Sequence, residues 1–407
     1  MPATASTPLT VPTPHPLAQT PLPRGSSPAA AGYFEQEWPV AVILGSFFAV
    51  TLPMMAVELL ATNAMLTWAY IWLFGITHFV ITLTIYFNSA NLSYFASSWK
   101  TALTFFAVPV LIFITFDMLH AFRVSATWPV TALVIFGCVR FFDFFHLNRQ
   151  TFGVLQMFKG RTKAKYPAHL RTRENRYLIS FVILLMATFL SGGVCPLLQA
   201  GGPLSLAMLN TLEGGVAVVD IGTLQFIWIA LAAVTLTHFT LVIRGHRQMA
   251  KANPQGKGFG PALAYILFQS FGTAMAALYF PLYLAALAMH YVEYHILMAP
   301  RVLRTSLNPE STVDRKFAWL RNRPVLFYVL ILIVSAVVAG GAFVGMNAAM
   351  GAPIVDFTSP VSSLILLALF DGIFVFHYFV EMFIWKFSDP HFRKLLAGLY
   401  FTPAKLA

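Results

Sequence analysis

Long uncharged stretches are the feature of this sequence that most limits how it can fold. Hydrophobic residues make up 58% of the 407 residues, and charged residues only 10%, whereas an ordinary soluble domain carries about 25% charged residues. Many of the apolar runs exceed the roughly 18 residues that indicate a membrane-spanning helix. The alternation over about 10 residues that is typical of a transmembrane barrel is not found. The sequence therefore predicts an all-α polytopic membrane protein.

Ten membrane spans are predicted. Residues 260–299 are too long for one span, because a straight helix of about 40 residues would measure about 60 Å, twice the hydrocarbon core. Gly272 and Pro281 can break the helix, so we expect two spans there. The ten predicted spans are residues 39–62, 66–87, 101–121, 127–146, 177–199, 221–243, 260–277, 279–299, 325–346 and 361–387.

The charges of the loops support this count. Lys and Arg are concentrated in residues 159–176, 244–258 and 301–323 and after the last span, whereas residues 200–220 and 347–360 carry acidic residues without any Lys or Arg. With ten spans, every basic stretch falls on one side of the membrane, which indicates that both termini are cytosolic. The net charge of +11 is thus explained by orientation, and no nucleic-acid partner is predicted. A bacterial inner (cytoplasmic) membrane is the expected location.

The chain divides into a bundle and two tails. Residues 1–37 are rich in Pro, Ala, Thr and Ser and lack an apolar core, which predicts a disordered cytosolic tail. Residues 38–390 are predicted to form the transmembrane bundle, and residues 391–407 a short basic cytosolic tail. Within the bundle, residues 147–160 combine apolar positions with a basic remainder, which predicts an amphipathic helix on the inner membrane surface.

Histidines recur in the half of the bundle that is predicted to face the cytosol. They lie in the second, fourth, sixth, eighth and tenth spans, which all run from outside to inside, and each has an aromatic neighbour. Ionisable groups within a membrane face the interior and pair with one another, because exposing them to lipid is costly. One interior site at a common depth is therefore predicted, built from His78, His146, His238, His290, His295 and His377.

Carboxylates share helical faces with several of these histidines. Glu381 follows His377 by four residues and Glu293 follows His290 by three, and Asp143 precedes His146 by three; such spacings bring side chains to one face. Neutral imidazole is a common metal ligand, and carboxylates complete iron sites. We therefore predict a mononuclear or dinuclear metal site, with iron as the expected metal and copper as the alternative. The residues expected to add ligands or orient the imidazoles are Glu293, Glu381 and Asp143.

Two details of spacing qualify this site. His295 lies about 140° around the helix from His290, so it would serve a second metal or support the first. Di-iron bundles carry Glu-x-x-His motifs, whereas the order here is His-x-x-Glu. The remaining histidines in tails and basic loops are predicted to be surface residues: His15, His169, His246 and His391.

The layout resembles, at the level of a class, the histidine-rich integral membrane oxygenases with non-haem metal. These are the fatty-acid desaturases and hydroxylases, the alkane hydroxylases and the bacterial membrane β-carotene dioxygenases. The compact His-x-x-His-His box of desaturases is absent, and one histidine per span, as in "GITHFV" and "AMHYVEYH", is more similar to the carotene dioxygenases. The resemblance implies non-haem iron near the cytosolic ends of the spans and oxygen-dependent chemistry on an apolar substrate.

The leading prediction is therefore a metalloenzyme that hydroxylates, desaturates or cleaves a lipid or isoprenoid, with an electron donor as a further partner. Three alternatives remain open at this point. A proton-coupled transporter would use the histidines and carboxylates as a relay. A haem or quinone electron carrier would use paired histidines as axial ligands. In a scaffold, the polar groups would only hold helices together.

Overall fold

A computed structural model describes most of the chain. The described residues are 32–60, 69–122, 129–162, 166–191, 194–198, 221–254, 259–305, 307–349, 360–386 and 388–401. About 89% of the structure is helical, and the described part contains no strand. The predicted all-α fold is confirmed for these residues. Most of the predicted N-terminal tail lies outside the described residues.

Thirteen helices build the described part of the chain. They are α1 (Glu37–Leu60), α2 (Trp72–Phe87), α3 (Ser89–Phe95), α4 (Trp99–Ala121), α5 (Pro129–Gly160), α6 (Ala168–Leu190), α7 (Ile221–Ala252), α8 (Phe259–Leu278), α9 (Ala288–Leu303), α10 (Thr312–Arg321), α11 (Pro324–Ala349), α12 (Pro360–Ile384) and α13 (Pro390–Tyr400).

The composition of these helices makes the chain an integral membrane protein. Four described helices, α1, α4, α7 and α8, are long and apolar enough to cross a bilayer. Two bent pairs raise the number to six if each pair is one span: α2 with α3, bent by 83°, and α10 with α11, bent by 101°. The other predicted spans lie on α5, α6, α9 and α12. Ten spans and cytosolic termini therefore remain predictions.

Large apolar side chains cover the outside of the bundle. On α7, Phe226 is 73% exposed and Leu236 is 64% exposed, and on α4 and α11 Leu111 and Ile333 are also exposed. A soluble protein rarely exposes apolar surface on this scale. Contact with lipid removes the cost of this exposure, as expected for membrane-spanning helices.

The predicted break within residues 260–299 is confirmed. The helix α8 passes through Gly272 and ends at Leu278. The chain then turns at Phe280–Leu282, which contains Pro281, and forms one helical turn at Tyr283–Ala286 before α9 begins. Proline cannot donate a backbone hydrogen bond within a helix, so the turn falls at Pro281 and not at Gly272.

Two predicted segments differ in the structure. Residues 147–160 are not a separate surface helix: they continue α5 without interruption, and Leu155 and Phe158 are fully buried in the bundle. Part of the predicted C-terminal tail forms α13, in which Leu396 and Tyr400 are fully buried. In both segments the apolar positions pack against other helices, and this burial outweighs the basic character of the neighbouring residues.

The helix α12, which carries His377, packs against other helices that carry predicted metal ligands. It packs against α4 and α11, and also against α2 and α5. Just before its histidine, α2 widens into a π-helical turn at Ile71–Ile76, a local irregularity that often occurs at functional sites. This turn contains Gly75, where a side-chain Cβ would lie only 3.1 Å from the ring of Tyr291. Glycine therefore allows α9 to approach α2 closely.

Candidate metal centre

Three buried histidines from three helices converge on one point. His78 lies on α2, His146 on α5 and His377 on α12, and their ligand nitrogens all lie within 4.8 Å of one another. His78 and His377 are 0% exposed and His146 is 6% exposed. Metal-bound imidazole nitrogens lie about 2.0–2.1 Å from the metal, which places two of them about 3–4 Å apart. Small rotations of these three rings would bring them to that separation, so the triad can hold a metal ion.

The hydrogen bonds of the triad leave one nitrogen of each ring free. Nδ1 of His78 donates to the carbonyl oxygen of Gly75 across 2.7 Å, and Nδ1 of His377 lies 2.7 Å from Oγ1 of Thr82. Nε2 of each of the three histidines is buried without a hydrogen-bond partner. In a neutral imidazole whose Nδ1 carries the proton, Nε2 bears the lone pair. Buried polar atoms are normally satisfied, and a shared metal ion would satisfy all three.

A carboxylate completes the group. Oε2 of Glu381 lies 3.4 Å from Nε2 of His146 and 4.0 Å from Nε2 of His377. Its other oxygen, Oε1, accepts a hydrogen bond from Nε1 of Trp385 across 3.0 Å. Glu381 follows His377 by one helical turn on α12, so the helix itself fixes this pair on one face. The site therefore offers three nitrogens and one carboxylate oxygen.

His290 lies beside the triad without belonging to it. Its ring centroid is 5.2 Å from that of His78 and 5.6 Å from that of His146. The ring is 2% exposed, and its Nδ1 has no hydrogen-bond partner. This buried imidazole is a further nitrogen donor beside the triad.

The structure does not bring the other two predicted ligands into this group. His295 uses Nδ1 to donate to the carbonyl oxygen of Tyr291 across 2.8 Å, and its Nε2 lies 3.2 Å from Oγ1 of Thr77. His238 lies on α7, which packs against α6 and α8, whereas the triad is built on α2, α5 and α12. Among the described residues, only His78, His146 and His377 form a group of this kind.

The two other predicted carboxylates have partners of their own. Glu293 is fully buried, accepting hydrogen bonds from Gln150 across 2.8 Å and from the Tyr265 hydroxyl across 2.7 Å. Asp143 accepts from the Tyr378 hydroxyl across 2.6 Å and from Arg140 across 3.1 Å. Neither carboxylate lies in the ligand group of the triad.

Asp143 nevertheless contacts the site through a tyrosine. The ring of Tyr378, whose hydroxyl donates to Asp143, packs against the ring of His146 with centroids 4.6 Å apart. Asp143 therefore fixes the position of Tyr378, and Tyr378 supports the His146 ring.

Three residues of the site were not found from the sequence. Thr82 follows His78 by one turn and contacts His377, but a threonine in a span gives no metal signal of its own. Trp385, which holds Glu381, matches the pattern of an interfacial anchor. The backbone carbonyl of Gly75 orients His78, and no side-chain pattern indicates it.

A cavity reaches the triad. It has a volume of about 900 Å³ and is lined mainly by apolar side chains of α4, α5 and α12. His146 and Glu381 both lie on its wall. The site is therefore accessible to a ligand from one side, in a largely apolar environment.

A second buried polar cluster lies apart from the triad. Glu174 is fully buried and accepts hydrogen bonds from Lys159 and Tyr166, and Nε2 of His246 lies 2.8 Å from its Oε1. His246 is 0% exposed, so the prediction that it is a surface residue is wrong. The reason is that α7 continues as a helix to Ala252 and packs His246 against α6.

The described structure thus unites three of the six predicted metal histidines with one of the three predicted carboxylates, beside an apolar cavity. This group can hold a metal ion. No family model, curated protein or solved structure matches the chain.

Proposed function

We propose that the protein is a membrane-embedded metalloenzyme that uses oxygen to hydroxylate, desaturate or cleave a lipid or isoprenoid. The observation that carries the proposal is the convergence of three buried Nε2 atoms that make no hydrogen bond, from His78, His146 and His377, beside an apolar cavity. A scaffold would gain nothing from three unsatisfied buried nitrogens, because each costs about 1–3 kcal/mol.

Iron is the metal we propose, with copper as the second choice. Imidazole alone is a ligand for zinc, copper and iron, whereas imidazoles combined with a carboxylate and open positions favour non-haem iron. Glu381 supplies that carboxylate. When bound, the iron would supply the activation of oxygen, which no amino-acid side chain provides.

The side chains of this protein would supply positioning and exclusion of water. Gly75 and Thr82 fix the rings of His78 and His377, as the outer partners of metal-bound histidines commonly do. Trp385 fixes Glu381. The apolar cavity wall keeps water from the site.

The type of oxidation determines which partner is needed. Cleavage of a carbon–carbon double bond by oxygen yields two carbonyl groups and consumes no external electrons. Hydroxylation consumes one oxygen molecule, two electrons and two protons, and yields an alcohol and water. Desaturation likewise needs two electrons and two protons beyond those of the substrate. The two latter reactions therefore require an electron-donor protein, and the first does not.

The proposed topology has ten spans and both termini in the cytosol, in a bacterial inner membrane. The basic loops support it, since they all fall on one side with ten spans, and α5, α6, α9 and α12 cover the spans beyond the first six. Reporter fusions after residues 62, 199 and 401 test this topology. A reporter signal for cytosolic location at residue 199 contradicts it.

Elemental analysis tests the metal. Protein purified in detergent is expected to contain about one equivalent of iron, and His146→Ala is expected to lose most of it. His120→Ala is the matched control, because His120 is also a histidine on a membrane helix but pairs with Asp371 across 2.8 Å, outside the triad. Folded, monodisperse wild-type protein without any transition metal contradicts the proposal.

Oxygen uptake and optical spectra separate the alternatives. The proposed enzyme consumes oxygen when it is given membrane lipid extract together with an electron donor, and this consumption falls in His146→Ala. A haem carrier gives an intense visible absorption band in the purified protein, and a transporter gives uptake into vesicles without consuming oxygen. Either of these results would replace the proposed function.

A further inference from the structure

The cavity beside the triad is elongated. Its lining residues on α5 extend from Val139 to Met157, a helix rise of about 27 Å. On α12 they extend from Val375 to Met382, a rise of about 10 Å. His146 and Glu381 lie between these limits. Such a shape suits an extended chain better than a compact ring system.

Two helices of the cavity wall, α4 and α5, carry exposed apolar side chains. Both pack against α12, whereas they have little direct packing against each other in the described residues. The exposed apolar side chains include Leu111 and Ile114 on α4 and Phe142 on α5. Since these surfaces suit lipid and not water, a ligand dissolved in the bilayer can reach the cavity from the side.

Basic side chains line the same cavity at one end. Arg149, Arg171 and Lys386 all belong to its wall, at the end of α5 and α12 that is predicted to be cytosolic. The guanidinium carbons of Arg149 and Arg171 lie 5.3 Å and 5.8 Å from the centroid of one ring, that of Phe152. Two like charges are thus held at one aromatic side chain.

No acidic side chain neutralises these charges in the described part of the chain. Arg149 donates to the amide oxygen of Asn175 across 2.7 Å, and no described carboxylate forms an ion pair with Arg149, Arg171 or Lys386. Glu381, the carboxylate on the cavity wall, is instead engaged with Trp385 and the triad. Both arginines are exposed on the cavity wall. Guanidinium groups match carboxylates and phosphates in geometry, so an anion bound between the two arginines would offset the repulsion between their charges.

We infer that the substrate is a long-chain amphiphile with an anionic end group, a carboxylate or a phosphate, bound by Arg149 and Arg171 with its chain in the cavity. This inference rests on the proposed function for the chemistry, but the binding itself does not. Arg149 lies three residues, about 4.5 Å of helix rise, from His146. The bond that is oxidised therefore lies near the anionic end of the chain and not at its far end.

Direct binding tests the end group. Radiolabelled hexadecanoate, hexadecyl phosphate and hexadecanol are titrated against full-length protein in neutral detergent. The two anions are expected to bind at least 10-fold more tightly than the alcohol, and the tighter of the two identifies the natural end group. The Arg149→Gln/Arg171→Gln variant is expected to lose this 10-fold preference, while Arg247→Gln, an exposed arginine on α7 away from the cavity wall, keeps it. Equal binding of alcohol and anions, or a double variant that keeps the preference, overturns the inference.

A substitution in the cavity wall tests the position of the chain. Gly153 lines the cavity, and a Cβ built there meets no atom within 4 Å. Gly153→Phe is expected to fill the cavity and abolish hexadecanoate binding, whereas Gly153→Ala leaves binding intact. Unchanged binding in folded Gly153→Phe overturns the inference.

The metal content separates this inference from the proposed function. Both Gly153 variants are expected to retain the metal, because Gly153 does not touch the triad. If the protein holds metal but shows no preference for anions, the inference fails and the proposed function is unaffected. If the protein binds anions selectively but never holds metal, the proposed oxidation fails and the inference is unaffected.

Discussion

The hydroxyl of Thr82 lies 2.7 Å from Nδ1 of His377, and so joins α2 to α12 beside the candidate metal site. The same hydroxyl lies 2.6 Å from that of Tyr294 on α9. When Nδ1 of a neutral imidazole donates a hydrogen bond, its lone pair is on Nε2. This one threonine therefore decides which nitrogen of His377 is free to bind a metal.

Replacing Thr82 is expected to weaken metal binding without unfolding the protein. Thr82→Val keeps the shape of the side chain and removes the hydroxyl, so His377 loses the partner that fixes its ring. Loss of such a partner commonly lowers metal affinity by about 10–100-fold. Metal titration of the apoprotein measures this change. Thr84→Val is the control, because Oγ1 of Thr84 bonds only to the carbonyl of Ile81 in its own helix; equal affinities in the two variants would contradict the role of Thr82.

The sequence predicted the depth of the site well and its composition only in part. Depth follows from the position of a residue along a span, because each residue adds about 1.5 Å. On that basis His78, His146 and His377 were correctly expected at a common level. His238 satisfies the same rule, but its helix packs against α6 and α8. Which helices are neighbours depends on packing between distant segments, and a single sequence does not specify it.

Packing between distant segments also explains the other differences between the predicted and the observed site. The spacing of Asp143 and His146 puts them on one face of α5, yet Asp143 accepts a hydrogen bond from Tyr378, 235 residues away in sequence. His246 follows a span and lies among basic residues, but it is buried by contact with Glu174 on another helix. The His377–Glu381 pair was easier to anticipate because both residues belong to one helical turn.

Adding a methyl group at Gly75 is expected to disturb both packing and metal binding. In Gly75→Ala the new Cβ would lie 3.1 Å from two ring carbons of Tyr291, so the Tyr291 ring or the backbone of α2 must move by a few tenths of an ångström. Overpacking of this kind costs about 1–3 kcal/mol, and a shift of the Gly75 carbonyl also releases Nδ1 of His78. The thermal unfolding midpoint and the metal content should both fall.

The control for Gly75 is a glycine with open space around it. Gly137 on α5 has no atom within 4 Å of the point that a Cβ would occupy, so Gly137→Ala should be neutral or slightly stabilising. Shortening the opposing ring in Gly75→Ala/Tyr291→Leu should recover part of the lost metal. No difference between Gly75→Ala and Gly137→Ala would argue against the close approach of α9 and α2.

The Glu174 cluster is expected to stabilise the bundle and to leave the metal site unaffected. Glu174→Gln removes the charge that faces Lys159, which is itself only 5% exposed. Breaking a buried ion pair by removing one partner costs about 3–5 kcal/mol. Thermal unfolding should show a large loss, whereas Glu310→Gln, at an exposed position, should show almost none. Metal bound per folded protein should not change, and a loss of metal with retained stability would contradict this assignment.

The last prediction concerns Asp389, which begins α13 and ties it to α3. Its Oδ1 accepts from the backbone N–H groups of His391 and Phe392 across 2.9 Å and 3.2 Å, and its Oδ2 accepts from the Tyr94 hydroxyl across 2.6 Å. Partial burial acts to raise the pKa of Asp389, but these donors outweigh it and the pKa is lowered. A carboxyl whose pKa is lower in the folded state stabilises fully above its ordinary value, about 3.9, and the contribution is lost as the pH falls through the folded-state pKa. Asp389→Ala is therefore expected to cost about 1–2 kcal/mol at neutral pH. Unfolding midpoints measured from pH 7 down to pH 2 should converge for wild type and variant at the acid end. Tyr94→Phe should retain most of the helix cap. A gap between wild type and Asp389→Ala that stays constant down to pH 2 would show that the carboxylate charge is not what holds α13 in place.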